Sequence, residues 1–244
     1  MRLPVGQARW TFTLYPEAAE GGGCFQSAGR RTAVGGGAPD VERAEQEAAR
    51  RARTKLRRYC AANRLNRFAT LTYAGAGCFD HQQLRADVAD FFRGLRRELG
   101  GKALPYAWAP EWHPGGHGLH VHFAVGRYVR QRLIREVWGR GLTHIKLIGD
   151  LPVGSGALEE ARQAARYLAK YVSKNVADER MPRLHRYEVA QGFQPERLPL
   201  ADRTQEGVIR QACELMGGVP TRLWRSDEQE GWRGPPAYWC AWPG

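Results

Sequence analysis

Tyr167, Lys170, Tyr171 and Lys174 recur at i, i+3, i+4 and i+7 within one short run of the chain. On a helix such positions share a face, so two phenols and two ammonium groups would line a single stripe. Upstream stand His120-Val121-His122 and, before them, Glu111. Alternate residues of a strand project the same way. A hairpin turning between positions 112 and 119 would therefore set Glu111 across from His120 on that same face. Two imidazoles and one carboxylate can hold a divalent ion while leaving coordination positions for substrate oxygens. Imidazoles favour zinc by affinity, whereas a carboxylate and a phosphate substrate admit Mg²⁺ or Mn²⁺, which we place first. His113 and His117, in the adjoining loop, are alternative ligands. A phenol near its ordinary pKa of about 10 is a weak nucleophile. An adjacent cation favours the phenolate, and a lysine can neutralise charge developing on a transferring phosphoryl group. The chemistry these residue types suit is attack of a tyrosine on a metal-oriented phosphate ester.

The elements that must position these groups are regular from 68 to 176. Positions 68–73 alternate as a strand, and Asp80-x-x-Gln83 reads as a capping box before a helix with the stripe Leu84, Val88, Phe91, Leu95 and Leu99. Gly100-Gly101 ends that helix. Strands at 106–111 and 119–125 form a hairpin, followed by a helix at 129–138, a strand at 143–148 and the tyrosine helix at 158–176. The order β-α-β-β-α-β-α predicts an α+β fold of the split βαβ, ferredoxin- or RRM-like kind: a central antiparallel sheet with helices on one side and the site on the other. Before it come a strand at 10–15, a Gly-rich stretch at 21–37 read as a mobile loop, and a helix capped by Asp40 that reaches about position 62. After it come a helix at 205–216 and two Trp-rich segments with strand character. Three domains are expected: an N-terminal extension at 1–64, the motif-bearing domain at 65–178, and a C-terminal extension at 179–244 packed on that core.

The 244-residue chain carries 37 Lys and Arg against 25 Asp and Glu, a formal charge of +12. Such an excess favours a polyanionic partner, nucleic acid first, through phosphate contact and counterion release. Arg50, Arg51, Arg53, Lys55, Arg57 and Arg58, all on the helix before position 62, are the expected DNA-backbone contacts. No apolar run approaches the roughly 20 residues of a spanning helix, and no signal-peptide pattern opens the chain, so a cytoplasmic protein with no membrane partner is expected. Five scattered cysteines without a Cys-x-x-Cys pair argue against a disulfide framework or a cysteine zinc site. No Gly-x-x-x-x-Gly-Lys-Ser/Thr phosphate loop occurs, so no P-loop helicase is expected here.

Phe68-Ala69-Thr70-Leu71-Thr72-Tyr73, His120-Val121-His122 and Tyr167-x-x-Lys170-Tyr171-x-x-Lys174 resemble the three ordered motifs of HUH endonucleases. The likeness is to the two-tyrosine rolling-circle replication initiators of bacterial plasmids and phages. This resemblance implies that His120 and His122 bind the metal, with Glu111 as the acidic ligand, and that Tyr167 or Tyr171, or both in turn, attack DNA. The implied activity is site-specific nicking and joining of single-stranded or hairpin origin DNA through a 5′-phosphotyrosine, with a free 3′-OH left for extension. A host helicase and a DNA polymerase are the implied partners. A single-strand transposase or a conjugative relaxase would use the same chemistry, and relaxases usually present a third histidine near the pair. The alternative of a different class is a non-catalytic nucleic-acid-binding protein that uses the Arg-rich helix and the tryptophans as contacts.

Overall fold

A computed structural model describes residues 7–28, 41–146, 155–177, 187–232 and 234–243, the side chains of 41–43 and 173–177 excepted. The expected cap Asp40 and the side chain of Lys174 lie outside the described residues. The elements are β1 (Arg9–Tyr15), β2 (Glu20–Gln26), α1 (Val41–Ala62), β3 (Arg67–Leu71), α2 (His81–Glu98), β4 (Tyr106–Trp112), β5 (Leu119–Val125) and α3 (Gln131–Trp138). There follow β6 (Thr143–Lys146), α4 (Ala157–Ala177), β7 (Glu188–Val189), β8 (Leu198–Asp202), α5 (Gln205–Met216), β9 (Arg222–Arg225) and β10 (Ala237–Ala241). The chain divides into two units: Asp40–Gln194, and a second assembled from Met1–Pro39 with Pro195–Gly244. This differs from the three consecutive segments expected. Helix α1 joins the motif-bearing unit because its Leu56, Tyr59 and Cys60 are buried with Ala165, Leu168 and Val172 of α4. The two ends of the chain pair with each other through β1, β2, β8 and β10.

In the motif-bearing unit five antiparallel strands form one sheet in the order β6-β3-β5-β4-β7. From β3 to α4 the elements follow the expected β-α-β-β-α-β-α. Strand parity sorts the side chains. Leu71, Trp108, Val121 and Phe123 pack with Leu84, Val88, Phe91 and Leu95 of α2 and with Ile134 and Trp138 of α3. The opposite parity carries Phe68, Ala107, Ala109 and Ala124, which meet α1 and α4. Helices thus cover both faces, not one, and all seven residues of β5 are buried.

Local chemistry explains the boundaries. The Asp80 carboxylate caps α2 by accepting from Gln82 N at 2.7 Å. Gln83 does not return to the cap as a capping box requires; its amide donates to Asp87 at 3.0 Å. Buried Asp87 also accepts from the Tyr73 hydroxyl at 2.9 Å and pairs with Arg140 at 2.9 Å. Burial first, and then the Asp87 carboxylate, hold the Tyr73 hydroxyl far above its ordinary pKa, so it remains a donor. The five cysteines are free thiols, and burial pushes Cys240 up to about 12.

The other unit is a second antiparallel sheet, β8-β1-β2-β10-β9, with α5 against β8 and β1. The Gly-rich stretch expected to be a loop begins as strand β2. A Cβ on Gly21 would stand 2.3 Å from the Phe12 ring, and one on Gly23 would stand 1.8 Å from Thr11 O. The missing side chains let Phe12 and Tyr238 stack at 5.3 Å across the strand. Positions 29–37 of that stretch lie outside the described residues. Trp242 is buried and donates to Gly218 O at 2.8 Å, whereas Trp232 is 39% exposed beside Trp224.

The hairpin that carries the histidines depends on Gly118. Its φ is +78°, and a Cβ there would stand 2.3 Å from Cys78 O, which accepts from Leu119 N at 2.6 Å. Gly116 has φ +79° with open space around it. Gly116→Ala should cost about 1–2 kcal/mol for the left-handed backbone alone. Gly118→Ala should cost about 1–3 kcal/mol more for the collision. Thermal melts of the two variants should show the larger drop for Gly118→Ala; equal drops would rule out the close approach as the reason for this glycine.

Candidate active site

Register brings the acidic residue to the histidines. Glu111 of β4 pairs with His120 of β5, and Ala109 pairs with His122, so Glu111, His120 and His122 share one face of the sheet. The expected hairpin is the one observed. Glu111 Oε2 lies 2.8 Å from His120 Nε2 and 2.8 Å from His122 Nε2, and the two Nε2 atoms are 2.9 Å apart. The three residues are 8%, 7% and 6% exposed. Three lone-pair-bearing atoms crowded in a buried triangle repel one another unless protons or a cation stand between them. A carboxylate and two imidazoles are a donor set that divalent metals accept, and these residues form a candidate metal centre.

Thr70 supports this centre from β3, where it pairs with His122. Its hydroxyl oxygen is 3.0 Å from His122 Nδ1. When that oxygen accepts from Nδ1–H, Nε2 keeps its lone pair for a cation. His120 Nδ1 has no hydrogen-bond partner among the described residues. Thr70 lay inside the sequence motif without a role, and its parity with Phe68 was the available signal. His113 is turned into its own loop: its Nδ1 accepts from Gly115 N at 3.0 Å. Neither His113 nor His117 belongs to the three-residue ligand group.

Helix α4 lays both tyrosines against this face. The Tyr171 ring stacks on the His122 imidazole with centroids 3.5 Å apart and planes 10° apart. Phe68 extends the layer, 5.8 Å from His122, 6.3 Å from Tyr171 and 6.2 Å from Tyr167. Tyr167, one turn earlier, has Lys146 Nζ 4.1 Å and Lys170 Nζ 4.7 Å from its ring centroid. Lys170 was expected near the tyrosines and Lys146 was not. Lys146 lies on the far edge strand β6, opposite Phe68, which gives it the parity of the site face. The two ammonium groups put positive charge where a phosphate brought to Tyr167 would carry negative charge. Of the six α1 cations, Arg50, Arg51, Lys55 and Arg57 are exposed and Arg53 and Arg58 are half-buried.

The ligand geometry predicts an order of metal affinities. By calorimetry with Mn²⁺, His122→Ala should abolish binding, and Thr70→Val should weaken it by about 10–100-fold, as loss of an outer hydrogen bond to a ligand does. Wild-type affinity in Thr70→Val would show that the 3.0 Å contact does not position the imidazole.

Among the described residues no helix is long and apolar enough to cross a membrane. No curated protein and no solved structure matches the chain. Residues 66–176, which hold β3 to β6 and nearly all of α4, match the family model of the ORF2-type replication-associated proteins. The segment that builds the candidate active site therefore belongs to the ORF2-type family of replication-associated proteins.

Proposed function

We propose that the chain initiates rolling-circle replication by nicking and rejoining single-stranded DNA through a tyrosine. The observation that carries this reading is the Tyr171 ring stacked at 3.5 Å on a histidine of the buried Glu111-His120-His122 triangle. It sets a phenol-bearing helix beside a divalent-ion ligand set.

Glu111, His120 and His122 would hold the ion, and Thr70 would orient His122. Adjacent ligands of an octahedral ion bonded at about 2.0–2.1 Å stand about 2.9–3.0 Å apart, whereas those of a tetrahedral zinc at similar distances stand about 3.3–3.4 Å apart. The observed 2.8–2.9 Å favours the octahedral case, and so Mg²⁺ or Mn²⁺. When bound, such an ion polarises a phosphodiester oxygen and orients the phosphorus.

The reaction then uses side chains of the chain itself. The phenol oxygen of Tyr167 or Tyr171 attacks phosphorus in line, a phosphorus–oxygen bond to the tyrosine forms, and the bond to the 3′ oxygen breaks. The phenol proton leaves to solvent, and the departing 3′ oxygen takes up a proton to become the free 3′-OH. Lys146 and Lys170 offset charge on the phosphoryl group near Tyr167. Because the phosphotyrosine preserves the linkage as an ester, a later 3′-OH reverses the attack and rejoins strands without ATP. A second tyrosine one turn away permits another cleavage while the first is occupied. His113 turned into its own loop removes the third histidine that a relaxase usage would want.

A labelled single-stranded oligonucleotide carrying the nick site should become covalently attached in Mn²⁺ or Mg²⁺, and mass spectrometry should place the adduct on Tyr167 or Tyr171. The Tyr167→Phe/Tyr171→Phe double variant, or EDTA, should reduce the adduct to background. An adduct that survives both substitutions would end this assignment.

A further inference from the structure

Helices α1 and α4 enclose a groove of about 350 Å³ lined by Arg50, Arg53, Thr54, Arg57, Arg166, Ala169 and Lys170. Five of these seven residues are cationic, and no carboxylate is among the described residues that line it. The α1 cations fall into two stripes. Arg50, Arg53 and Arg57, at i, i+3 and i+7, face the groove, whereas Arg51, Lys55 and Arg58 do not line it. From α4 the lining residues are Arg166, Ala169 and Lys170, again at helical spacing.

Five like charges gathered in one groove raise the energy of the free protein, and a polyanion relieves that cost. Arginine forks match phosphate oxygens in pairs, and four of the five are arginines. The stripe from Arg50 to Arg57 is about 10 Å long at the rise of an α-helix, more than one phosphate spans. Lys170 joins the groove to the tyrosines, because its ammonium group also lies 4.7 Å from the Tyr167 ring. Helix α1 precedes the family-matched residues 66–176, so half of this groove is an addition to that segment.

We propose that the α1–α4 groove binds the sugar-phosphate backbone of the single strand flanking the phosphate presented to the tyrosines. This deepens the nicking-and-joining reading and rests on it. Arg50, Arg53, Arg57 and Arg166 grip successive phosphates, and Lys170 passes the strand to Tyr167. The other stripe of α1 contributes diffuse charge only.

The test compares two triple variants of the full chain, each losing three charges: Arg53→Gln/Arg57→Gln/Arg166→Gln in the groove and Arg51→Gln/Lys55→Gln/Arg58→Gln outside it. Binding of a fluorescent oligothymidylate is followed by anisotropy in EDTA, where no cleavage competes, from low to physiological salt. Single-strand contacts contribute about 0.7 each to the log–log salt slope, so the groove triple should flatten the slope by about 2 and the control triple by less than half as much. Should the groove triple fail to melt cooperatively, the exposed Arg57→Gln alone carries the test, with an expected loss of about 0.7. Equal slopes for the groove and control variants, or a wild-type slope for the groove variant, would overturn the proposal. The covalent adduct assay on the unaltered chain separates the two readings. Adduct with equal slopes removes the groove alone, and unequal slopes with no adduct remove the nicking chemistry alone.

Discussion

Three atoms that repel one another are held within 2.9 Å in the interior of this protein: one carboxylate oxygen and two imidazole nitrogens. Water is excluded from much of their surroundings, so their mutual repulsion is weakly screened and the arrangement calls for a positive charge at its centre. The sheet supplies the restraint. His120 and His122 share a face by the two-residue period of β5, and antiparallel pairing with β4 delivers Glu111 to the same place. A slip of one residue in that pairing would send the imidazoles into the apolar layer under α2 and α3. The packing of Val121 and Phe123 against Phe91 opposes such a slip.

The second requirement is that a helix come close enough to lay a phenol on a ligand ring. Alanine makes this possible from both sides. Ala107, Ala109 and Ala124 present a shallow sheet surface, and Ala161, Ala164 and Ala165 are fully buried along α4. Small residues on both partners shorten the distance between helix and sheet, so Tyr171 reaches His122 as a flat stack at 3.5 Å and Phe68 fills the remaining space. The same closeness sets Tyr167 under Lys146 from the edge strand. Metal ligands, phenols and ammonium groups occupy one layer because apolar packing below and beside them leaves no other arrangement.

Much of this was legible in the chain. Elements β3 to α4 follow alternation and 3.6-residue periodicity, and Gly100 with φ +80° and the Asp80 carboxylate mark the ends of α2 as expected. Parity alone put Glu111, His120 and His122 on one face, since a strand's alternation and a hairpin's register are local properties. Gly21 and Gly23 misled the reading, because glycines in a strand look like a loop until the rings that need their space are known. Gln83 misled in the same way: Asp87, packed into the unit by Arg140 and Tyr73, competes for it.

What sequence alone determined is therefore the kind of chemistry: which donors share a face, which phenols share a helix stripe, and the excess of positive charge. Tertiary structure decided how they meet. It laid Tyr171 on His122, set Thr70 behind that ring, and brought Lys146 over Tyr167. It also placed Arg166 and Lys170 opposite one stripe of α1, and paired β1 and β2 with strands from the other end of the chain. Periodicity records the environment of a residue relative to its near neighbours, whereas these contacts join segments far apart in the chain. Their partners are selected by the burial and packing of the whole unit, which leaves no local mark.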